Sequence, residues 1–390
     1  MKNVVILGST GSIGANALLA MKKLGPGWRV LGLTVNSNLL ALRRQVREFR
    51  PACVAVFDYA AWKEFSADVP RGVRLLPPGV EGLAEMASLA EADIVLSAVT
   101  GAVGLAPLLA AIRASKHIAL ANKEPMIMAG ALLMQEARRW QAALIPVDSE
   151  PSAIFQCLAG VKPGEYDQAV SRVFLTASGG PFYSVKKSLA AVTPAQALKH
   201  PRWNMGPKIS VDSATLMNKG LEAIEIQNLF SLPISKIQVL IHPQSVIHSG
   251  VEFNDGSVLA QLSLPDMKLP IQYALTWPRR VRSLVHPLDL IKLSRLDFFK
   301  PDFHRFPCLE LAFCAARKGG LYPAALNAAN EVAVQLFLDG ALKFTDIPRV
   351  VERVLAACGP VSKLTLAGAV EADSWARQKA SGISEYVKKR

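Results

Sequence analysis

Over the first 150 residues, short unbroken apolar runs alternate with stretches whose apolar positions recur at helical spacing. The runs predict strands at Val4–Leu7, Val30–Val35, Cys53–Phe57, Ile94–Ala98, Ile118–Ala121 and Ala143–Val147. Between them, helices are predicted at Ala15–Leu24 and Leu39–Phe49, among others. Strands buried on both faces lack polar alternation, as these do, and the strand–helix rhythm is that of a doubly wound, Rossmann-like parallel sheet. The pattern changes near residue 151. Val173–Thr176, Val239–Ile241, Ser245–Val251 and Val258–Leu264 read as strands of an α+β domain, with a turn at Asn254-Asp255-Gly256. Prolines at 278, 287 and 301 mark residues 278–303 as a connecting arm. From Pro307 onward the pattern is helical, and Asp346 is placed to cap a helix with Val350, Val351, Val354 and Leu355 on one face. The expected organisation is 1–150, a dinucleotide-binding domain; 151–277, a catalytic α+β domain; 278–303, the arm; and 304–390, a helical domain.

Composition narrows the class. At 390 residues and 51% hydrophobic content, the chain can bury large cores and is not a disordered protein. The net charge of +13 raises nucleic-acid binding, but the basic residues are dispersed, with short clusters only at Arg279–Arg282 and Lys388–Arg390. No nucleic-acid-binding signature is present, and the charge suits small anionic substrates. Five irregularly spaced cysteines without a CxxC pair indicate neither a disulfide framework nor a zinc site, so a cytoplasmic setting is expected. The apolar run after Lys2 and Asn3 is too short for a signal peptide. The uncharged stretch from Ile94 to Ile112 is divided by Gly101, Gly104 and Pro107 into strand, turn and helix, so no membrane association is expected.

Candidate chemistry sits at the strand ends. Gly8-Ser9-Thr10-Gly11-Ser12-Ile13-Gly14 lies between the first strand and a helix. There, glycines permit a tight turn and close backbone approach to a pyrophosphate at the helix N-terminus. After the second strand, Asn36-Ser37-Asn38 offers no carboxylate for a ribose 2′-hydroxyl, which favours NADP; the nearest basic residues are Arg43 and Arg44. Asp148 and Glu150 follow the run Ala143–Val147. If the segment is extended, both project to one side. Alone, such a pair is commonly a solvated turn, whereas with a third carboxylate, for which Glu222 is the candidate, it makes an oxygen-only site for Mg²⁺ or Mn²⁺. Lys123, in Asn122-Lys123-Glu124, can reach substrate oxygens or pair with Glu124. Ser178-Gly179-Gly180-Pro181 is either an anion nest or a plain turn. His242 and His248 read as structural. In the segment 200–222, Pro201, Gly206 and Pro207 break any helix early. Asp212 or Ser213 then reads as the cap of a helix whose first turns carry Ser213, Asn218, Lys219 and Glu222, and such an N-terminus suits a phosphate.

GSTGSIG at 8–14, LANKE at 120–124, PVDSE at 146–150, SGGPF at 178–182, HPRWNMGPKISVDSATLMNKGLE at 200–222, HPQSVIHS at 242–249 and NAANEVAV at 327–334 together resemble the 1-deoxy-D-xylulose 5-phosphate reductoisomerase family. The resemblance spans nearly the whole chain in the family's order. It implies an NADPH- and Mg²⁺- or Mn²⁺-dependent enzyme, homodimeric, that rearranges and reduces 1-deoxy-D-xylulose 5-phosphate to 2-C-methyl-D-erythritol 4-phosphate. It implies Asp148, Glu150 and Glu222 as metal ligands. Lys123, Ser149, Asn218 and Lys219 would contact substrate oxygens, and Ser178, Ser213, Asn218 and Lys219 the phosphate. His200, Trp203 and Met205 would belong to a substrate lid near 200–208. Gly8, Thr10, Gly11, Ser12, Ile13, Asn36, Ser37, Asn38, Asn122, Glu124 and Gly206 would line the cofactor site. Two other readings compete. One is a different NADP-dependent oxidoreductase of a small phosphorylated or carboxylated aldehyde, such as a semialdehyde dehydrogenase, whose chemistry needs a nucleophilic cysteine that no motif here provides. The other is a non-catalytic nucleotide- or nucleic-acid-binding protein.

Overall fold

A computed structural model describes residues 1–185, 188–203, 205–359 and 364–388, the last five without their side chains. Asn204, within the expected lid, and Lys389 and Arg390 of the C-terminal basic cluster lie outside the described residues. The chain divides into two compact units. The first comprises Met1–Pro125, Leu133–Ser152 and Asp266–His286; the second comprises Met126–Leu132, Ala153–Pro265 and Pro287–Arg390.

The first unit is built on a seven-stranded, wholly parallel sheet. Its strands are β1 (Lys2–Leu7), β2 (Trp28–Val35), β3 (Cys53–Val56), β4 (Arg74–Leu75), β5 (Ile94–Ser97), β6 (His117–Leu120) and β7 (Ala143–Pro146). The spatial order β4-β3-β2-β1-β5-β6-β7 reverses direction of growth beside β1, as in a doubly wound fold. Val4, Val5, Ile6 and Leu7 have no exposed surface, which is why these strands read as apolar runs without alternation. β4, two residues long, carries no such run and escaped the pattern. The uncharged stretch Ile94 to Ile112 is a strand, a turn and part of the helix Leu105–Arg113. No helix among the described residues is long and apolar enough to cross a membrane. The helix Lys268–Thr276 packs in this unit, where the Ala274 carbonyl accepts a hydrogen bond from His117 Nε2 at 2.8 Å.

The second unit carries a four-stranded sheet of β8 (Val170–Ala177), β9 (Ile237–Ile241), β10 (Ile247–Phe253) and β11 (Val258–Leu262), in the order β11-β10-β8-β9. β8 and β9 are parallel, and the other pairs antiparallel. Gly256, at φ +85°, closes the β10–β11 hairpin where Asn-Asp-Gly predicts it. The C-terminal part is helical: Pro307–Lys318, Tyr322–Leu338, Ile347–Ala357 and Leu366–Lys388. Val350, Val351, Val354 and Leu355 form the buried face of the third of these. Asp346 stands at its N-cap, but its carboxylate accepts from Arg349 at 2.9 Å and caps no backbone N–H.

Two local expectations need correction. The helix expected to start at Asp212 or Ser213 begins earlier, at Pro207, with extended Gly206 as its N-cap. Proline is favoured there because its missing N–H would have had no helical partner. Ser213 is thus in the last turn of Pro207–Ala214, and a second helix, Met217–Phe230, begins after Leu216 turns left-handed at φ +59°. Asp148 and Glu150 are not on an extended segment. The Asp148 carbonyl accepts from Ser152 N at 2.9 Å, and Ser149 opens the helix Ser149–Cys157 with Glu150 in its first turn, where the helix dipole favours negative charge.

Candidate active site

In the first unit the glycine loop is held by short polar contacts. Gly8, at φ +85°, donates its N–H to Thr34 Oγ1 at 2.9 Å, and Ser9 N donates to the Thr34 carbonyl at 2.8 Å. Gln45 grips Ser9 twice: its Nε2 donates to the Ser9 carbonyl at 2.9 Å and its Oε1 accepts from Ser9 Oγ at 2.7 Å. A Cβ at Gly8 would lie 2.5 Å from the Ala98 carbonyl oxygen, and one at Gly14 would lie 2.3 Å from the Gly8 carbonyl oxygen. No side chain larger than hydrogen fits either place. Gly11 caps the helix Ser12–Leu24, leaving Gly11 and Ser12 exposed beside the open N–H groups of its first turn, with Thr10 and Ile13 half-buried. Asn36, Ser37 and Asn38 are exposed at the end of β2, and Asn38 Oδ1 caps Leu39–Phe49 by accepting from Ala41 N at 3.1 Å.

Beyond β6, Asn122 is buried and donates from Nδ2 to the Gly101 carbonyl at 3.2 Å and to the Glu124 carboxylate. Lys123 forms an ion pair with Asp148, a partner that sequence alone did not suggest. Ser149 donates from Oγ to Glu150 Oε2 at 2.6 Å, and its N–H to Asp148 Oδ1 at 3.0 Å. Lys123, Asp148, Ser149 and Glu150 therefore converge at the C-terminal ends of β6 and β7, where open α/β sheets bind ligands.

In the second unit Ser178 and His200 are in contact, Oγ to Nε2 at 2.9 Å. His200 Nδ1 accepts the backbone N–H groups of Arg202 and Trp203 at 3.2 and 2.9 Å, so it carries no proton. The neutral ring then holds its proton on Nε2 and donates it to Ser178. Ser178 Oγ also accepts from Gly180 N at 3.2 Å. Having accepted twice, the Ser178 hydroxyl has its own proton to offer an anion. Gly180, at φ +66°, lies so close to the Ser213 carbonyl that a Cβ would be 2.6 Å from its oxygen, which brings the Ser-Gly-Gly turn onto the end of Pro207–Ala214. Trp203 and Met205 are half-buried and Gly206 is exposed; the Trp203 ring packs edge-on to His248, 6.5 Å between centroids.

Glu222 is the hub of the second helix. It is buried, accepting from Asn218 Nδ2 and, at 2.7 Å, from Lys219 Nζ, itself largely buried. The i,i+4 and i,i+3 spacings place all three on one face. Behind them Asp212, also buried, takes Lys208 Nζ at 2.7 Å and Asn330 Nδ2 at 2.8 Å. By sequence Asp212 is only a possible helix cap, yet it pairs with Lys208 and with Asn330, which lies in the NAANEVAV segment. Gly220 allows this helix to approach Pro307–Lys318, since a Cβ there would meet that of Ala312 at 2.3 Å. His242 is structural, as expected: its Nδ1 donates to the Asp297 carbonyl at 2.9 Å, and its Nε2 accepts from Val246 and Ile247 N–H, each at 3.2 Å. Cys308 offers no nucleophile, because burial pushes its thiol up to about 12.

A glycine loop at the first strand of a parallel sheet, together with polar and carboxylate clusters at strand and helix ends, defines a dinucleotide-type α/β enzyme. Comparison with known proteins sharpens the class. Residues 4–130 match the family model described as 1-deoxy-D-xylulose 5-phosphate reductoisomerase, and residues 144–230 and 262–379 match models of C-terminal domains of that enzyme. The 1-deoxy-D-xylulose 5-phosphate reductoisomerase of Elusimicrobium minutum is 52% identical over 97% of this chain and 96% of its own. That of Pelotomaculum thermopropionicum is 51% identical over 97% of each. Among solved structures, the reductoisomerase from Zymomonas mobilis in complex with NADPH superposes with a TM-score of 0.90 at 41% identity, covering 98% of this chain and 99% of that one. A DOX-P reductoisomerase in complex with NADPH, fosmidomycin and magnesium gives 0.93 at 40% identity, covering 100% and 99%. The chain belongs to the 1-deoxy-D-xylulose 5-phosphate reductoisomerase family.

Proposed function

We propose that this protein converts 1-deoxy-D-xylulose 5-phosphate, NADPH and a proton to 2-C-methyl-D-erythritol 4-phosphate and NADP⁺, with a divalent metal. The observation that carries the reading is the Asn218–Lys219–Glu222 cluster, in which a half-buried amide and a buried ammonium and carboxylate are assembled on one helix face. A buried charge cluster of this kind is costly to keep and needs a purpose beyond stability. The relatives named above carry the same activity in their names, and two solved homologues are complexes with NADPH.

The residues fit both the dinucleotide and the metal. The glycine loop leaves no room for a Cβ at Gly8 or Gly14 and ends on open helix N–H groups, which suits a pyrophosphate. Gly8, Thr10, Gly11, Ser12, Ile13, Asn36, Ser37 and Asn38 would hold NADPH, with Asn122, Glu124 and Gly206 toward its nicotinamide end. Asp148, Glu150 and Glu222 offer oxygen donors only, which suits Mg²⁺ or Mn²⁺ over Zn²⁺. When bound, the metal supplies Lewis acidity toward substrate oxygens, and NADPH supplies hydride.

The chain's own residues position and shield. Ser178, Ser213, Asn218 and Lys219 bind the phosphate, with the Ser178 proton aimed by His200. Lys123, Ser149 and Asn218 orient the substrate oxygens. Lys123 and Lys219, now paired with Asp148 and Glu222, are the cations best placed to offset negative charge on the reacting carbonyl. His200, Trp203 and Met205 exclude water over the substrate. A homodimer is also inferred: β11 is an edge strand with Val258 and Leu259 half-exposed, a surface that sheet proteins commonly cover. We place the enzyme in the cytoplasm on its cysteine usage. The test is product identity. Incubation with substrate and NADPH should yield a branched polyol phosphate by NMR; an unbranched reduced sugar phosphate would mean a simple aldehyde or ketone reductase.

A further inference from the structure

The turn after β2, Asn36-Ser37-Asn38, carries no cation, although the reading above requires the first unit to hold the 2′-phosphate of NADPH. We infer that Arg44, two turns into the helix Leu39–Phe49, is the residue that recognises this phosphate and sets the preference for NADPH over NADH. The inference rests on the proposed cofactor.

Of that helix's three arginines, Arg43 and Arg44 lie nearest the turn, Arg47 being a turn further on, and the structure separates the two. Arg43 is committed: its guanidinium pairs with Asp68 at 2.6 Å, approaches Glu64 at 3.9 Å and lies over the Phe65 ring, 5.4 Å from the centroid. Arg44 is exposed and has no hydrogen-bond or ion-pair partner among the described residues. It lies three and four residues beyond Ala41 and Leu40, so it shares a face with the helix's first turn. Helical side chains lean toward the N-terminus, and an Arg there covers that turn. Ala41, at i−3, is too small to block the path, and Leu40 is two-thirds exposed. At 1.5 Å per residue, Arg44 is about 9 Å along the axis from the Asn38 cap. That is a distance an extended arginine largely spans.

The rest of the turn is prepared for an anion. Asn38 Oδ1 accepts from Ala41 N, so the Asn38 amide N–H groups are not used in the cap, and Asn38 and Ser37 are both exposed. The same helix is tied to the glycine loop through Gln45 and Ser9, so its position relative to that loop is fixed. The nearby carboxylate of Asp58, at the end of β3, is engaged as a helix cap to Ala61 N at 2.9 Å and is not presented as a ribose acceptor. An arginine fork suits a phosphate dianion, and the contact would be partly screened by salt because it is exposed.

The test measures dissociation constants of NADPH and NADH by nicotinamide fluorescence, without substrate or turnover. Arg44→Ala should weaken NADPH about tenfold, the size of one charge-assisted hydrogen bond, and leave NADH unchanged. Arg44→Lys should keep most of the preference, and Arg43→Ala all of it. A folded Arg44→Ala variant with the wild-type NADPH-to-NADH ratio would overturn the assignment, as would loss of the preference in Arg43→Ala alone. Wild-type protein that binds both dinucleotides equally contradicts the assignment to Arg44 while leaving the dinucleotide loop intact as a site. Wild-type protein that binds neither contradicts the cofactor reading itself.

Discussion

The glycine loop of the first unit and the 200–222 segment of the second are both proposed to receive anions, and they are built for it by different physics. The loop uses backbone. Its glycines bring the chain close, a helix N-terminus supplies partial charge, and its supports, Thr34 and Gln45, are neutral. The 200–222 segment uses whole charges, with Lys219 against Glu222 and Lys208 against Asp212, both carboxylates buried. The first arrangement depends on shape and fails when atoms are added. The second depends on charge balance and fails when a charge is removed. That difference predicts which substitutions damage which step.

The largest effect should come from charge removal. Glu222→Gln keeps the shape but takes away a proposed metal ligand and leaves Lys219 without its counter-charge. Loss of mere second-sphere partners costs about 10–100-fold at metal sites, so turnover should fall beyond that range. NADPH affinity, for which the proposed contacts lie mainly in the first unit, should stay near wild type. Equal loss of both would make Glu222 a structural residue and erase the contrast. Shape should govern the converse case. Gly14→Ala sets a Cβ 2.3 Å from the Gly8 carbonyl oxygen, backbone against backbone. Overpacking of this kind costs about 1–3 kcal/mol. Calorimetric titration should therefore show weakened NADPH binding, with binding of inorganic phosphate at the second unit unaltered.

A single neutral hydroxyl should matter less. Ser213→Ala removes one proposed donor to the phosphate, a contact expected in both ground and transition states, so KM should rise about tenfold with kcat little changed. A fall in kcat alone would place Ser213 elsewhere in the reaction. The smallest effect concerns stability of the first unit. Burial lowers the pKa of His117 below its ordinary 6.5. Below that value the unfolded chain takes up a proton that the folded ring resists, so stability should decline as pH falls from 6.5 toward the lowered pKa. Denaturant midpoints should show this acid-side decline in wild type and a shallower one in His117→Gln; parallel profiles would assign the decline to other groups.

How far these regions were legible follows the same divide. The sheet of the first unit was readable because strands covered on both faces must be apolar, and six of its seven strands announced themselves that way. The glycine loop was readable because its parts are consecutive. The 200–222 segment was readable in composition but not in geometry. The helix break at Leu216 is made by a left-handed leucine, with no glycine or proline to mark it. Pro207, which looked like a breaker, is the first residue of a helix. Asp212 could not be distinguished from a cap because its partner Asn330 is 118 residues away. Asp148 and Glu150 looked extended because a three-residue window cannot separate a strand end from a helix's first turn. The return of 266–286 to the first unit leaves no local trace at all.

One protein is proposed to perform a metal-assisted rearrangement and a hydride transfer in succession. The direct measurement is NADPH absorbance in the presence of 1-deoxy-D-xylulose 5-phosphate, with chelator and then with Mg²⁺ or Mn²⁺ restored. NADPH should be oxidised only when both substrate and metal are present. Folded protein that oxidises NADPH equally well in chelator, or not at all with metal and substrate supplied, would contradict it.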